Sequence, residues 1–463
     1  MNEPLKHKLF SVYGQILNEK ILNEAWKKVR SNKGAGGVDR VTIGKYEENL
    51  DDNIRELLKE LKEKTYKPSP VRRVYIPKKN GKVRPLGIPT IKDRIVQQAL
   101  VLRLEPFFEA NVFHRDSCGF RPNRDAETAL KKIIWNIETG HHYIYDFDIK
   151  GYFDNIPHKK LMKVLNKYIA DGTVLDIIWK SLKAGYMEDE VLYETPSGTM
   201  QGGVISPLIA NIYLNELDWE LEKEKLRFVR YADDSIVMCR TAQELEKAKA
   251  VVHRVLEELG LEIAEDKTDD IDFHDKDFDY LGFTFSHIWT DGKGEWHYFV
   301  RPSDKSLRKF KQDIKAMTGK SYSHSSEEWA AKLNPMLRGK YNYFLIANKA
   351  VKTVWTECRK RGMGFHGKAK RSYNDYDSYV RQRLRVNFGN RGKRHGGQRD
   401  GKMLTVKFGN EFFVKTMGLV TGHYMAMQLR EPSLTADEFL TRIKKKPKYQ
   451  TNKSQFFKYA YAR

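Results

Sequence analysis

The run Tyr231-Ala232-Asp233-Asp234 sits between two short apolar segments, Phe228-Val229-Arg230 before it and Ser235-Ile236-Val237-Met238 after it. Both flanks are rich in β-branched and aromatic residues, and an Asp-Asp pair between such runs predicts a hairpin turn. That places two carboxylates at the hairpin tip. Acidic pairs at such tips are ordinarily solvated turn residues, so the hairpin alone says little about chemistry. A second acidic strand end upstream changes the reading. Tyr143-Ile144-Tyr145-Asp146-Phe147-Asp148-Ile149 predicts a strand with Ile144, Asp146 and Asp148 on one face and Tyr145, Phe147 and Ile149 on the other. Lys150-Gly151 ends it, leaving Asp148 at a strand terminus. Three carboxylates converging there repel one another unless a cation compensates. Mg²⁺ prefers carboxylate oxygens completed by substrate phosphates, and two such ions about 4 Å apart can clamp the attacking and leaving oxygens of a phosphoryl transfer. The plainer alternative pairs Asp148 with one of the chain's 83 lysine and arginine side chains.

Taken together, Asp148-Ile149-Lys150-Gly151-Tyr152-Phe153-Asp154 and Tyr231-Ala232-Asp233-Asp234 resemble the palm of reverse transcriptases, in particular the bacterial group II intron-encoded type, also called intron maturases. Further blocks resemble that family in order and kind. Gly34-Ala35-Gly36-Gly37-Val38-Asp39 is similar to its N-terminal extension loop. Val83-Arg84-Pro85-Leu86-Gly87-Ile88-Pro89-Thr90 and Asp93-Arg94-Ile95-Val96-Gln97-Gln98 are similar to its fingers. Gly119-Phe120-Arg121-Pro122-Asn123-Arg124, Gln201-Gly202-Gly203-Val204-Ile205-Ser206-Pro207-Leu208, Ala210-Asn211-Ile212, Glu265-Asp266-Lys267-Thr268 and Tyr280-Leu281-Gly282-Phe283 follow.

The resemblance implies an α+β fold, a right-hand polymerase with fingers and palm built from antiparallel sheet and helices. A helical thumb and a basic C-terminal region follow. On this expectation residues 1–140 hold the N-terminal extension and fingers, with palm interleaved, and 141–290 the palm. Residues 300–358 hold a maturase-type thumb and 359–463 a basic nucleic-acid-binding region. It also implies that Asp148, Ile149, Asp233 and Asp234 hold two Mg²⁺ ions, with the three aspartates catalytic. Lys78, Lys79, Arg84, Phe153, Gln201 and Lys267 would meet the incoming nucleotide. Arg84 outranks the lysines because a planar fork suits phosphate oxygens. The family carries an aromatic ring at the Phe153 position, where bulk clashes with a ribose 2′-hydroxyl and favours dNTPs; a core aromatic is the alternative. Lys267 would assist the leaving pyrophosphate. Asp146 and Asp154 are left out of the site, Asp154 being read as a turn starter or the cap of the helix after Pro157. His141 and His142 lack a partner in helical register and read as surface residues.

Composition agrees with a polyanionic partner. Lysine plus arginine exceed aspartate plus glutamate by 83 to 61, a net charge of +22, where solubility alone needs a magnitude of only about 2–8. No long basic amphipathic helix points to a membrane surface, and no apolar run is long enough to span one. The three cysteines, Cys118, Cys239 and Cys358, form no Cys-x-x-Cys pair, which excludes a zinc ribbon and suits a reducing compartment. With no signal-peptide core at the start, the expected location is the cytoplasm.

Along the chain, residues 1–30 predict a helix, 53–64 a second, and 71–77 with 82–86 a basic hairpin. Helices are expected at 91–110 and 125–138. Pro302 is read as opening a new unit, with a stripe of Trp329, Leu333, Met336, Leu337, Tyr341 and Phe344 along a helix in 303–350. Residues 359–402 are basic and glycine-rich with interleaved aromatics, a mixture suited to phosphate contact and base stacking, and Arg381, Arg383, Arg385, Arg391, Lys393 and Arg394 are the candidate contacts. A flexible tail is the alternative. The usual DNA-binding segment and the HNH endonuclease of the family are not recognisable there.

The expected activity is RNA-directed DNA synthesis on an RNA template from a DNA primer and dNTPs, with a structured intron RNA as a further partner in splicing and mobility. The alternatives are a splicing-only RNA-binding maturase and a host-recruited reverse transcriptase of phage defence or CRISPR adaptation. An RNA-dependent RNA polymerase shares the palm logic, but Phe153 argues against it.

Overall fold

Short polar residues start many of the helices of this chain. Asn18, Thr42, Thr90 and Asp171 each accept a backbone N–H of the first turn that follows them, and Asp125 and Ser325 close reciprocal capping boxes with Thr128 and Glu328. The computed structural model describes residues 8–77, 83–199, 202–319, 324–370, 372–390 and 408–445. The chain divides into two units, Met1–Asp275 and Lys276–Arg463.

In the first unit the strands are β1 (Val71–Pro77), β2 (Val83–Ile88), β3 (Tyr143–Phe147), β4 (Tyr186–Glu188), β5 (Val191–Tyr193), β6 (Arg227–Tyr231), β7 (Asp234–Cys239) and β8 (Asp269–Asp272). They form two four-stranded sheets, ordered β2-β1-β4-β5 and β6-β7-β3-β8. The first contains the expected basic hairpin, antiparallel from Arg72 opposite Ile88 to Pro77 opposite Val83. In the second, β3 runs antiparallel to both neighbours, with Phe147 opposite Ser235 and Asp146 opposite Asp269. Helices Ile91–Asn111, Ser206–Lys223 and Ala242–Leu259 contribute Ile95, Phe108, Ile212, Tyr213, Val252 and Leu256 to a continuous core that also takes in Trp26 and Leu61. All three cysteines are buried; burial pushes the Cys118 thiol up to about 11 and the Cys239 thiol up to about 12.

The helix predicted over 1–30 is two helices, Val12–Ile16 and Glu19–Ser31, because Asn18 is extended and caps the second; residues 1–7 lie outside the described residues. His141 is not a surface residue: it is 8% exposed, with Nδ1 near the Asn136 carbonyl at the end of the preceding helix. Asp154 does not cap the helix after Pro157; it lies inside a one-turn helix, Tyr152–Asn155, and His158–Tyr168 has no side-chain cap.

The second unit opens with a sheet of β9 (Phe278–Tyr280), β10 (Phe283–Phe285), β11 (Trp289–Thr290), β12 (Trp296–Pro302) and β13 (Gly367–Ala369). The break between units therefore falls before β9 rather than at 290, and Pro302 ends a strand instead of opening a unit, because β9 and β10 pair with β12 and not with β3. Helices Asp304–Met317, Ser326–Phe344, Ile346–Lys360 and Asn374–Asn390 follow. Trp329, Leu333, Leu337, Tyr341 and Phe344 of the predicted stripe are each at most 2% exposed, and Met336 packs beside them.

The three described arginines proposed as nucleic-acid contacts turn toward the fold. Arg381 is 7% exposed and donates to the Asn374 carbonyl oxygen of its side-chain amide at 2.9 Å. Arg383 donates to the Thr318 backbone carbonyl at 2.8 Å, and Arg385 donates to the Phe408 carbonyl at 3.0 Å with its guanidinium over the Phe413 ring. The helix Asn374–Asn390 packs onto the other helices through Tyr376, Val380 and Leu384, and these arginines satisfy carbonyls along that seam. Arg391, Lys393 and Arg394 lie outside the described residues. Among the described residues no helix is long and apolar enough to cross a membrane.

Candidate active site

The β6–β7 hairpin closes through Ala232 and Asp233, with Tyr231 opposite Asp234. A turn this tight needs a positive φ, and Ala232 supplies it at 62° without being glycine. Two features hold it there. Gly119 lies against the turn so closely that a Cβ on it would sit 2.3 Å from the Ala232 nitrogen. Arg230, 1% exposed, donates from Nη1 to the Ala232 carbonyl at 2.9 Å and to the Asn211 side-chain oxygen at 2.9 Å, while its Nε donates to Asp218 at 2.8 Å. Asn211 and Asp218 stand two turns apart on the buried face of Ser206–Lys223.

Asp148 follows β3 by one residue. Its carbonyl accepts from the Ala264 N–H at 2.8 Å, and Ile149 bridges to Ile263, so the segment 262–264 pins the backbone beyond the strand. That segment leads into a short helical turn, Glu265–Lys267, whose Lys267 ammonium is bonded to the Asp148 carboxylate. The plainer alternative of a basic partner for Asp148 is thus what the structure has.

The carboxylates feel one another. Burial, then Asp233, then Asp148 push Asp234 up to about 6. Burial also raises Asp233, with Asp148 adding to it and Arg84 and Lys267 pulling the other way. Arg84, on the exposed part of β2, is therefore within electrostatic reach of the Asp233 carboxylate. No group of three His, Cys, Asp or Glu side chains among the described residues is arranged as a ready-made metal cage. The donor set nevertheless fits a hard divalent cation that takes the remaining oxygens from phosphates, and the Lys267 ammonium on Asp148 already occupies a cation's position.

Phe153 lies on the one-turn helix after Asp148, half-buried, edge-on to Phe120 and to Tyr152. Lys78, Lys79 and Gln201 lie outside the described residues. The residues after Gln201 are fixed: a Cβ on Gly202, at φ 107°, would sit 2.4 Å from the Gly87 carbonyl of β2, and the buried Gln97 side chain accepts from the Val204 N–H at 2.8 Å. Arg230 and Asp218 carry no signal of their own in the sequence, and Gln97 only its place in the block Asp93–Gln98. The seven-residue step from Asn211 to Asp218 marks a shared helix face, but nothing in it names the arginine they hold.

Comparison with known proteins bears on the whole arrangement. The family described as reverse transcriptase (RNA-dependent DNA polymerase) matches residues 76–285, and the group II intron maturase-specific domain matches residues 307–361. The group II intron-encoded protein LtrA of Lactococcus lactis subsp. cremoris is 44% identical over 229 residues, covering 49% of this chain and 37% of that protein. Protein YkfC of Escherichia coli is 41% identical over 211 residues, 44% of this chain and 55% of that protein. An uncharacterized 91 kDa protein in the cob intron of Schizosaccharomyces pombe is 36% identical over 217 residues, 46% of this chain and 26% of that protein. The chain thus spans between a quarter and about half of the length of these relatives. A solved structure titled "Partial Cas6-RT-Cas1--Cas2 complex" aligns with 55% of this chain and 45% of its own at 21% identity and a TM-score of 0.35, too slight a likeness to argue from. With an acidic turn on the central sheet and both matches following in sequence order, the chain is similar to group II intron reverse transcriptases and maturases over residues 76–285 and 307–361.

Proposed function

We propose that this chain is an RNA-directed DNA polymerase whose metal ligands are Asp148, Asp233 and Asp234 with the Ile149 carbonyl. The observation that carries the reading is the gathering of three carboxylates at one end of the sheet, where burial first, then Asp233 and Asp148, lift Asp234 to about 6. Carboxylates crowded in this way weaken a fold unless a cation neutralises them. Two Mg²⁺ ions bound there would neutralise charge on the attacking and leaving oxygens.

The chain's own groups do the positioning. The primer 3′-oxygen attacks the α-phosphorus of a dNTP, the bond from that phosphorus to the bridging oxygen breaks, and pyrophosphate leaves. Arg84 grips the phosphates from β2, with Lys78, Lys79 and Gln201 as further contacts. Lys267 exchanges Asp148 for the departing pyrophosphate. The Phe153 ring would clash with a ribose 2′-hydroxyl, which selects dNTPs. The maturase-specific match at 307–361 supports a thumb that binds the template–primer duplex and an intron RNA. The cytoplasm, beside its nucleic-acid partners, is the proposed location.

Primer extension on an annealed RNA template with dNTPs and Mg²⁺ tests this. Wild type should give full-length cDNA, and Asp233→Asn should lower the rate by at least about 100-fold. No product from either protein, with RNA binding intact, would favour the splicing-only reading.

A further inference from the structure

Phe153 sits on a helix of only four residues, Tyr152–Asn155. A single turn is not self-supporting, and its last carbonyls have no partner within it. A strap of three residues, Ser197–Thr199, supplies those partners. The Thr199 N–H donates to the Phe153 carbonyl at 2.7 Å, the Ser197 hydroxyl donates to the Asp154 carbonyl at 3.0 Å, and the Gly198 N–H donates to the Ile156 carbonyl at 2.8 Å. The approach leaves no room for a side chain: a Cβ on Gly198, at φ 88°, would sit 2.7 Å from the Asp154 oxygen and 2.8 Å from the Phe153 oxygen.

The strap is itself anchored. His158, 3% exposed, contacts the Gly198 carbonyl through Nε2 at 2.8 Å. A carbonyl only accepts, so Nε2 carries the proton. Burial pushes the His158 imidazole down and keeps it neutral, and its Nδ1 has no hydrogen-bond partner among the described residues. The ring therefore spends its one donor on the strap. The strap also runs directly into Met200 and Gln201, so one backbone segment joins the support of Phe153 to the start of a proposed nucleotide contact.

We infer that His158 and the Ser197–Thr199 strap are positioning elements that fix the Phe153 ring and so set how strongly the enzyme prefers deoxyribonucleotides over ribonucleotides. This rests on the reading of Phe153 as the sugar gate. The strap's hydrogen bonds go to the Phe153, Asp154 and Ile156 carbonyls, so its effect falls on sugar choice rather than on metal binding.

The test is the ratio of kcat/KM for dATP over ATP, measured by single-nucleotide extension with the full chain on an RNA template. Loss of one buried hydrogen bond in His158→Leu should lower the ratio by about tenfold. His158→Gln, which keeps a donor, should recover part of it. Ser197→Ala, a mild change near the surface, should lower the ratio by about twofold to threefold and guards against misfolding of the histidine variant. Combining His158→Leu with Phe153→Ala should lower the ratio no further than Phe153→Ala alone, the non-additivity of two groups acting through one ring. An unchanged ratio in both strap variants, with Phe153→Ala lowering it, overturns the strap and leaves the gate standing. An unchanged ratio in Phe153→Ala overturns the gate, and the inference with it.

Discussion

Arg230 is sealed from solvent and divides its donors between a carboxylate, an amide oxygen and the carbonyl of the acidic turn. Structural and positioning roles coincide in it, and two substitutions separate them. Arg230→Met strands the Asp218 carboxylate and should cost about 3–5 kcal/mol in denaturant unfolding. Adding Asp218→Leu should return most of that stability, since an apolar pair can replace a buried ion pair. Primer extension should stay depressed in the double variant, because the Ala232 carbonyl still lacks its donor; full recovery of rate would reduce the arginine to a core residue. Asp234 makes the opposite case. Its folded value, about 6 against an ordinary 3.8, means that folded protein holds a proton the unfolded chain has released in that window. Its contribution to stability is therefore lost as pH rises from about 4 to 6. In EDTA at pH 7, Asp234→Asn should be more stable than wild type by about 1–2 kcal/mol, with the gap closing below about pH 4 in thermal melts. The strand-end positions of Asp148, Asp233 and Asp234 were legible in the sequence because alternation and turn residues mark them locally. Arg230 was not, since a chain with 83 basic residues offers no local sign of which one is buried.

At the scale of elements, the strands were legible because alternation and turn residues are local. β1 and β2 and the β6–β7 hairpin lie close to where the pattern predicts them. What alternation could not reveal is a close approach between distant segments. Gly119 belongs to a recognisable block, yet only the fold shows that it abuts the Ala232 backbone. Gly119→Ala should push the acidic turn aside, lowering polymerisation by at least about tenfold and stability by about 1–3 kcal/mol, read by extension assays and unfolding curves together. Wild-type behaviour would mean that the turn moves freely. Helix boundaries were blurred for a related reason. Asn18 interrupts an apolar stripe that continues smoothly through it, and periodicity does not register a one-residue break. The basic C-terminal helix misled for a third reason, because the carbonyls that Arg383 and Arg385 satisfy belong to segments far away in sequence.

Over the whole molecule, the two units each carry a core of their own, one built around Phe108, Tyr213 and Val252 and the other around Trp329, Tyr341 and Val380. Charge separates them: the first unit is close to neutral, and the excess behind the net +22 lies in the second, where 39 lysines and arginines face 16 acidic residues. Template binding should therefore be dominated by counterion release, with the logarithm of affinity falling against the logarithm of salt at a slope steeper than about −3. A slope near zero in filter binding would mean that the excess charge does not meet the RNA backbone. The buried thiols have a practical consequence. Cys118 and Cys239 are held protonated at neutral pH and all three cysteines are shut away from solvent, so alkylating reagents have no natural target on the folded surface. A single cysteine engineered at an exposed loop such as Asp189 would then be the one reactive handle on native protein. Fluorophores or cross-linkers could be installed there to follow the protein in binding assays without first stripping out its own sulfur.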